Sequence, residues 1–95
     1  MLTGKQRSYL RGEANDLDPV IHVGKDGISE SVLEQVEELL DIHELIKGRV
    51  LDNAPQGVKN TAYELAEKTD SEVVQVIGNV FIIYRQDPED SNYNL

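Results

Sequence analysis

The segment of this sequence best suited to bind an anion is a short glycine-framed loop, Gly24-Lys25-Asp26-Gly27. It joins a β-branched run at residues 20–23 to an amphipathic segment that Ser29 can cap. Glycine at both ends of the loop lets the backbone turn and lets a ligand approach closely, because no Cβ is in the way. The N–H groups at the following helix start attract anions, phosphate included. The spacing therefore predicts a phosphate-contacting loop with Lys25 at its tip.

The same four residues also fit an ordinary strand-to-helix turn, in which Gly27 does no more than end the strand. In the functional alternative the loop contacts backbone phosphates, as a Gly-x-x-Gly loop does in RNA-binding domains of the KH type. Asp26 and Glu30 place negative charge near the helix start. A phosphate bound there would therefore need backbone amides, Lys25 and basic groups from elsewhere in the chain.

Basic residues at the start of the chain are the first source of such groups. Residues 1–12 carry Lys5, Arg7 and Arg11 and no acidic residue. Arg7 and Arg11 are four positions apart and so share one face of a predicted helix, whereas Lys5 lies on the opposite flank. This arrangement predicts either an RNA-contacting helix face or ordinary solvated helix charge.

Isolated basic residues and histidines later in the chain are further candidates. Lys47 and Arg49 alternate onto one face of a predicted strand, and Arg85 ends the last strand. Each could extend a basic strip across a sheet. His22 and His43 belong to no cluster with metal-ligand spacing, which predicts structural or surface roles for them. We expect no metal and no other cofactor.

Composition limits the class of protein. The 95 residues suffice for one domain with a core, contain no cysteine and hold no apolar stretch long enough to span a bilayer. The N-terminus lacks the apolar stretch of a secretory signal, so we expect a cytoplasmic protein with no membrane partner. The net charge of −9 argues, taken whole, against nucleic acid. However, ten acidic residues fall within residues 13–46 while the N-terminal segment is basic, so the charge is distributed as a dipole.

Apolar periodicity predicts three helices and four strands. Helices are expected over residues 4–15, 30–42 and 58–68, the first with a capping box formed by Thr3 and Gln6. Strands are expected over residues 20–23, 44–52, 73–77 and 80–84, with Gly78-Asn79 as a hairpin turn. The order α-β-α-β-α-β-β predicts a two-layer α/β domain, with helices on one side of a four-stranded sheet. A single domain over residues 1–85 would precede a flexible acidic tail, residues 86–95.

Six short blocks recur in a known order along nearly the whole chain. They are residues 5–12 (KQRSYLRG), Pro19-Val20, residues 23–27 (VGKDG), residues 44–47 (ELIK), residues 74–78 (VQVIG) and Tyr84-Arg85. Together they resemble the CRM domain in its stand-alone bacterial form, the YhbY-like proteins. The resemblance implies an RNA-binding domain similar in fold to the C-terminal domain of a translation initiation factor. It implies a mixed sheet in strand order 1-2-4-3, whose last strand is antiparallel to the others. It also implies association with the precursor of the large ribosomal subunit and a role in its assembly.

Two features depart from the family pattern. The segment after the last strand is acidic, Gln86-Asp87-Pro88-Glu89-Asp90, whereas some bacterial relatives have basic tails, and this difference bears on affinity for RNA. Gly48 stands where family members often have a β-branched residue. A glycine within a strand predicts a bulge or a close backbone approach.

These observations predict a non-catalytic, monomeric RNA-binding protein that acts on ribosomal RNA and has no small-molecule substrate. The predicted RNA contacts are Gly24, Lys25, Asp26, Gly27, Lys5, Arg7, Arg11, Lys47, Arg49 and Arg85. The alternative is a protein-interaction module, in which the acidic face of the second helix docks a basic ribosomal protein or another basic partner. No nucleophile–base pair or carboxylate constellation is legible in the sequence, so an enzyme is not predicted.

Overall fold

All three predicted helices are present in the computed structural model, which describes residues 1–95. The helices are α1 at Gly4–Ala14, α2 at Glu30–His43 and α3 at Val58–Thr69. α1 begins with the predicted capping box, in which Thr3 Oγ1 accepts the Gln6 N–H at 3.1 Å and Gln6 Oε1 accepts the Thr3 N–H at 2.9 Å. α2 begins after Ser29, whose Oγ accepts the N–H of Val32 at 3.2 Å. These side chains satisfy N–H groups that have no partner within the helix, and so they define both helix starts.

Four strands form one mixed sheet in the order β1-β2-β4-β3. They are β1 at Ile21–Val23, β2 at Leu45–Val50, β3 at Glu72–Ile77 and β4 at Val80–Tyr84. β1 is parallel to β2, whereas β4 is antiparallel to both of its neighbours, β2 and β3. Gly78-Asn79 forms the turn between β3 and β4, with Gly78 at a φ of 58° that glycine adopts without steric cost. The predicted α/β class, strand order and antiparallel last strand are confirmed.

Helices cover both faces of the sheet, which corrects the prediction that they lie on one side. One apolar core lies between the sheet and the pair α2 and α3, around Val36, Leu65 and Phe81. A second core on the opposite face packs Leu10 of α1 against residues that include Leu45. The reason lies in β4, where residues 81–84 are all buried. Because consecutive strand residues point to opposite faces, such a strand needs a cover on each side.

Gly48 in β2 makes room for the ring of Phe81. A Cβ added at Gly48 would lie 2.3 Å from Phe81 Cζ. Phe81 pairs with Gly48 across β2 and β4 and is fully buried, so its ring has little freedom to move. Of the two structural predictions made for this glycine, the close approach is confirmed. The bulge lies instead in β3, where the register with β4 shifts between Val73 and Gln75.

Residues 86–95, predicted to be a flexible tail, fold back towards the core around the buried carboxylate of Glu44. Its oxygens accept hydrogen bonds from the Asp87 N–H at 2.9 Å, from the Ser91 hydroxyl at 2.9 Å and from the Asn92 N–H. Tyr93 then meets the ring of Tyr84 edge to face, with the ring centroids 5.8 Å apart. This segment therefore has no apolar periodicity because it follows an irregular path, which a few specific contacts stabilise. The flexibility of this segment stays a prediction.

The Glu44 side chain binds residues 86–95 in its ionised, carboxylate form. It follows α2 at a φ of 64° and is 1% exposed. Burial opposes ionisation of its carboxyl group, but hydrogen bonds from Asn92, Asp87, Ser91 and Tyr84 outweigh burial and lower the pKa. The ionised form therefore stabilises the fold at neutral pH. No local sequence pattern marks Glu44 for this role, because its partners lie 40 or more residues away.

Candidate nucleic-acid interface

The Gly-x-x-Gly loop is a tight turn between the end of β1 and the start of α2. The Gly27 N–H donates to the Gly24 carbonyl oxygen at 2.9 Å, and the Ser29 N–H donates to the Gly27 carbonyl oxygen at 3.1 Å. Lys25 and Asp26 are exposed at the tip of this turn. The loop therefore presents one cation and one anion to solvent beside the N-terminus of α2.

The two glycines of the loop meet different requirements of the fold. Gly27 has a φ of 62°, and a Cβ added there would lie 2.9 Å from Pro55 Cγ, so both conformation and packing require glycine. Gly24 lies outside the positive-φ region. A Cβ added at Gly24 would meet Leu51 and Asn53 at an ordinary 3.6 Å. The fold thus accounts for Gly27 and leaves Gly24 available for a ligand to approach.

Strand register places Arg49 beside this loop. Arg49 pairs with His22 of β1 and Val80 of β4, and the loop begins two residues after His22. Arg49 and Lys47 point to the same face of β2 as Leu45, which packs beneath α1. α1 covers the Leu45 end of this face, whereas Arg49 at the other end is exposed and Lys47 is half-buried. The open part of the sheet therefore adjoins the glycine loop and carries positive charge.

Arg7 and Arg11 lie at the far edge of the sheet, along β3. The Arg7 Nε–H donates a long hydrogen bond, 3.4 Å, to the carbonyl oxygen of Val73. Both arginines line a groove of about 560 Å³ that follows β3, and Lys5 is exposed outside that groove. Since β1 and β3 are the outer strands of four, three interstrand spacings, about 14 Å, separate the loop from the groove. The predicted basic residues therefore form two separate groups. Lys25 and Arg49 lie near the β1 side of the sheet, and Arg7 and Arg11 lie along β3 at the other side.

Arg85, predicted to contact RNA, is instead bonded within the protein. Its Nη1 donates to Glu37 Oε2 at 2.9 Å and to the Thr69 carbonyl oxygen at 2.8 Å. Its Nη2 donates to Asp41 Oδ1 at 2.8 Å and to the Glu37 carbonyl oxygen at 3.3 Å. The Arg85 guanidinium, just after β4, therefore donates hydrogen bonds to four acceptors on α2 and α3. These bonds leave Arg85 few donors for an RNA phosphate, and its predicted RNA contact stays a prediction.

No other Lys or Arg side chain pairs with a carboxylate. Of nine Lys and Arg residues, only Arg85 forms an ion pair with a carboxylate, although the chain has 18 acidic residues. The cations of the loop, β2 and α1 therefore form no internal ion pair. Their field is available to an external anion, despite the negative net charge of the whole protein.

Two residues that sequence reasoning did not select lie in the same groove as Arg7 and Arg11. They are Lys59 and Tyr63 of α3, and the Tyr63 side chain is 56% exposed. Their spacing of four puts them on one helix face, which is a signal that the sequence did contain. The spacing alone could not indicate a shared site with Arg7 and Arg11, because only the fold brings α1 and α3 to either side of β3.

The histidines show no metal-binding arrangement. His22 is exposed in β1, and His43 is exposed at the last position of α2. The structure contains no group of three or more His, Cys, Asp or Glu side chains that could hold a metal ion. None of its helices combines the length and apolar character needed to cross a membrane.

Comparison with known proteins places this small α/β domain in a defined family. The family model described as the CRS1 / YhbY (CRM) domain matches residues 2–85, which include every helix and strand. The chain therefore belongs to the CRM domain family, and the resemblance carried by the six sequence blocks is confirmed. The segment that folds back around Glu44 follows the matched range.

Individual relatives are similar over nearly their whole length. A Bacillus subtilis protein named probable RNA-binding protein YqeI is 38% identical over 95 residues, covering 100% of this chain and 99% of the relative. A Haemophilus influenzae protein named RNA-binding protein is 34% identical over 88 residues, which cover 93% of this chain and 89% of the relative. The solution structure of a hypothetical Staphylococcus aureus protein, described there in terms of RNA binding, matches with a TM-score of 0.84 and 45% identity. That match covers 100% of this chain and 99% of the Staphylococcus protein.

Proposed function

We propose that this protein binds RNA by contacting backbone phosphates with the glycine loop and with the unpaired cations around the sheet. The observation that carries this proposal is the placement of Arg49 beside the turn that holds Gly24 and Lys25. The names of two relatives, which describe RNA-binding proteins, support it.

Each loop residue has a distinct role in this proposal. Gly24 admits the phosphate close to the backbone, and Gly27 fixes the turn that precedes the N-terminus of α2, where N–H groups without an intrahelical partner attract an anion. Lys25 and Arg49 neutralise the phosphate charge from two sides. Asp26 repels phosphate, so it directs the RNA backbone to the Lys25 side of the loop.

The basic residues of α1 extend the contact surface. Arg7 and Arg11 would hold phosphates at the β3 edge, and Lys5 and Lys47 would add charge on either side of the path between the two edges. Contacts to phosphate position a protein on RNA but do not read bases. We therefore propose recognition of RNA shape and backbone, with ribosomal RNA in the precursor of the large subunit as the target.

We further propose that the protein acts without catalysing a reaction, as a cytoplasmic monomer during assembly of the large ribosomal subunit. The acidic-module alternative has less support, because Glu37 and Asp41 of the acidic helix already pair with Arg85. Docking a basic partner there would compete with a contact that joins α2 to β4.

A salt titration of RNA affinity tests the phosphate contacts. Four contacts predict a slope of log K against log salt of about −3, at about −0.7 for each phosphate of a single strand. Lys25→Ala and Arg49→Ala should each make the slope shallower by about 0.7. Lys68→Ala is the matched control, since Lys68 is exposed near the end of α3 and away from both groups of cations. A salt-independent affinity, or variants that match the control, would overturn the proposal.

Sedimentation of a cell lysate tests the proposed target. The native protein should co-migrate with precursor large subunits at low salt and leave them at higher salt, and Lys25→Ala should shift this release to lower salt. Migration with free protein at every salt concentration would refute the ribosomal target while leaving RNA binding to be judged by the titration.

A further inference from the structure

The edge of the sheet at β3 forms a charged groove whose composition is unusual for this protein. The groove is lined by Arg7, Arg11, Lys59, Tyr63 and residues 73–76, and it has a volume of about 560 Å³. No acidic residue lines it, although acidic residues outnumber basic ones two to one in the chain, 18 against 9. None of its three cations is paired with a carboxylate. The groove therefore concentrates free positive charge in an otherwise acidic molecule.

The groove also presents an aromatic ring. Tyr63 is 56% exposed on α3, and no hydrogen bond holds its hydroxyl. It follows Lys59 by one helical turn, so a ring and an ammonium group stand on the same face of α3. On the opposite side of β3, Arg7 and Arg11 stand on one face of α1. A flat ring flanked by cations is the arrangement on which single-stranded nucleic acids stack bases while their phosphates are neutralised.

The outer edge of β3 is less suited to an added strand of protein. The Arg7 side chain already donates to the carbonyl oxygen of Val73 at 3.4 Å, and the bulge between Val73 and Gln75 interrupts the regular spacing of backbone groups. Both features discourage edge-to-edge pairing. The groove thus favours an occupant that uses side-chain charge and a ring face.

From these observations we infer that the β3 groove binds single-stranded RNA, with a base stacked on Tyr63 and phosphates held by Lys59, Arg7 and Arg11. This inference rests on the proposed function and adds to it a second contact, about 14 Å across the sheet from the glycine loop. An RNA strand that reaches both edges would pass the exposed Arg49. The base on Tyr63 must be unpaired, so this contact selects single-stranded segments.

The test compares variants that differ only in the ring or in one charge. Affinities for a fluorescently labelled single-stranded oligouridylate and for an RNA duplex are measured with the full chain. Tyr63→Leu should weaken oligouridylate binding about five- to tenfold, the lower end of the range for loss of one stacked base. It should leave duplex binding unchanged, and Tyr63→Phe should retain wild-type affinity because it keeps the ring. Lys59→Ala should make the salt slope shallower by about 0.7.

Two controls separate this groove from general effects. Lys68→Ala removes a cation from the other end of the same helix, and Tyr9→Leu removes an exposed ring outside the groove, since Tyr9 is 40% exposed on α1. Both should retain wild-type affinity. In NMR spectra, oligouridylate should shift the ring protons of Tyr63 upfield, as expected for a stacked base.

The outcomes distinguish this inference from the proposed function. If wild-type protein binds RNA with the predicted salt slope but Tyr63→Leu and Lys59→Ala behave like the controls, the groove inference is wrong and the proposed function stands. If wild-type protein shows no salt-dependent RNA binding, the proposed function fails and the inference fails with it. Equal losses of duplex and single-strand binding in Tyr63→Leu would also overturn the stacking role.

Discussion

Alanine at the two glycines of the loop should affect stability in opposite directions. At Gly27 the new residue must adopt a φ of 62°, which costs about 1–2 kcal/mol once a Cβ is present. That Cβ would lie 2.9 Å from Pro55 Cγ, and such overpacking adds about 1 kcal/mol. We therefore expect Gly27→Ala to lower the free energy of unfolding by about 2–3 kcal/mol.

Neither cost applies at Gly24. Its φ is not in the left-handed region, and its added Cβ would be 3.6 Å from its nearest neighbours. Alanine at such a site raises stability by about 0.4–1 kcal/mol, because it reduces the conformational freedom of the unfolded chain. The two variants should therefore differ by about 3 kcal/mol. Under the proposed function, Gly24→Ala should nevertheless bind RNA more weakly, because the added methyl group narrows the approach of a phosphate to the Gly24 backbone.

Urea unfolding followed by circular dichroism measures both free energies, and an unchanged m-value would show that the two variants expose the same surface. In thermal unfolding, each kcal/mol should shift the Tm by about 4–8 °C in a domain of this size. Equal stabilities of the two variants would refute the reasoning from φ and Cβ contacts. Wild-type RNA affinity in Gly24→Ala would refute the role assigned to Gly24.

Three further predictions concern packed residues. Gly48→Ala should lower the free energy of unfolding by about 1–3 kcal/mol, and Phe81→Leu in the same chain should recover part of that loss, as a double-mutant cycle in urea would measure. Because the pKa of Glu44 is lowered from 4.5, its stabilisation is complete above that pH and is lost as the pH falls through the folded-state pKa. Glu44→Gln should lower the free energy of unfolding by about 1–3 kcal/mol at neutral pH. In this variant the free energy of unfolding should also fall less steeply as the pH becomes acidic. Arg85→Met should lower the free energy of unfolding by about 1–2 kcal/mol and leave the salt slope of RNA binding unchanged.

Each of these predictions has a contradicting result. Strictly additive effects of Gly48→Ala and Phe81→Leu would show that the ring and the added Cβ do not clash. An acid limb that is the same in Glu44→Gln as in the wild type would assign the pH dependence to other carboxylates. A shallower salt slope in Arg85→Met would place Arg85 in the RNA interface.

The helices were predictable because their signals are local. The capping box of Thr3 and Gln6 and the cap at Ser29 involve residues three apart in the chain, and both formed as predicted. The α2 prediction over residues 30–42 differs from Glu30–His43 by one residue. The loop positions were also predictable, since glycine spacing and an adjoining cap need no information about distant residues.

The side of the sheet on which α1 packs was not predictable in this way. The apolar face of α1 fits either side, because β4 buries residues on both of its faces. The role of Arg85 was missed for a similar reason. It stood as a free cation at a strand end until the fold brought Glu37 and Asp41 to it from more than 40 residues away.

The sequence by itself therefore determined the helices, the strands, the glycine turn and, through six short blocks, the family. Only the tertiary structure decided which cations are free, that Glu44 fastens the C-terminal segment, and that Lys59 and Tyr63 face the same groove as Arg7 and Arg11. The physical reason is the range of the interactions. Caps, turns and periodicity depend on neighbours within one or two helical turns, whereas ion pairing, burial and the lining of a groove depend on residues that meet only after the chain has folded.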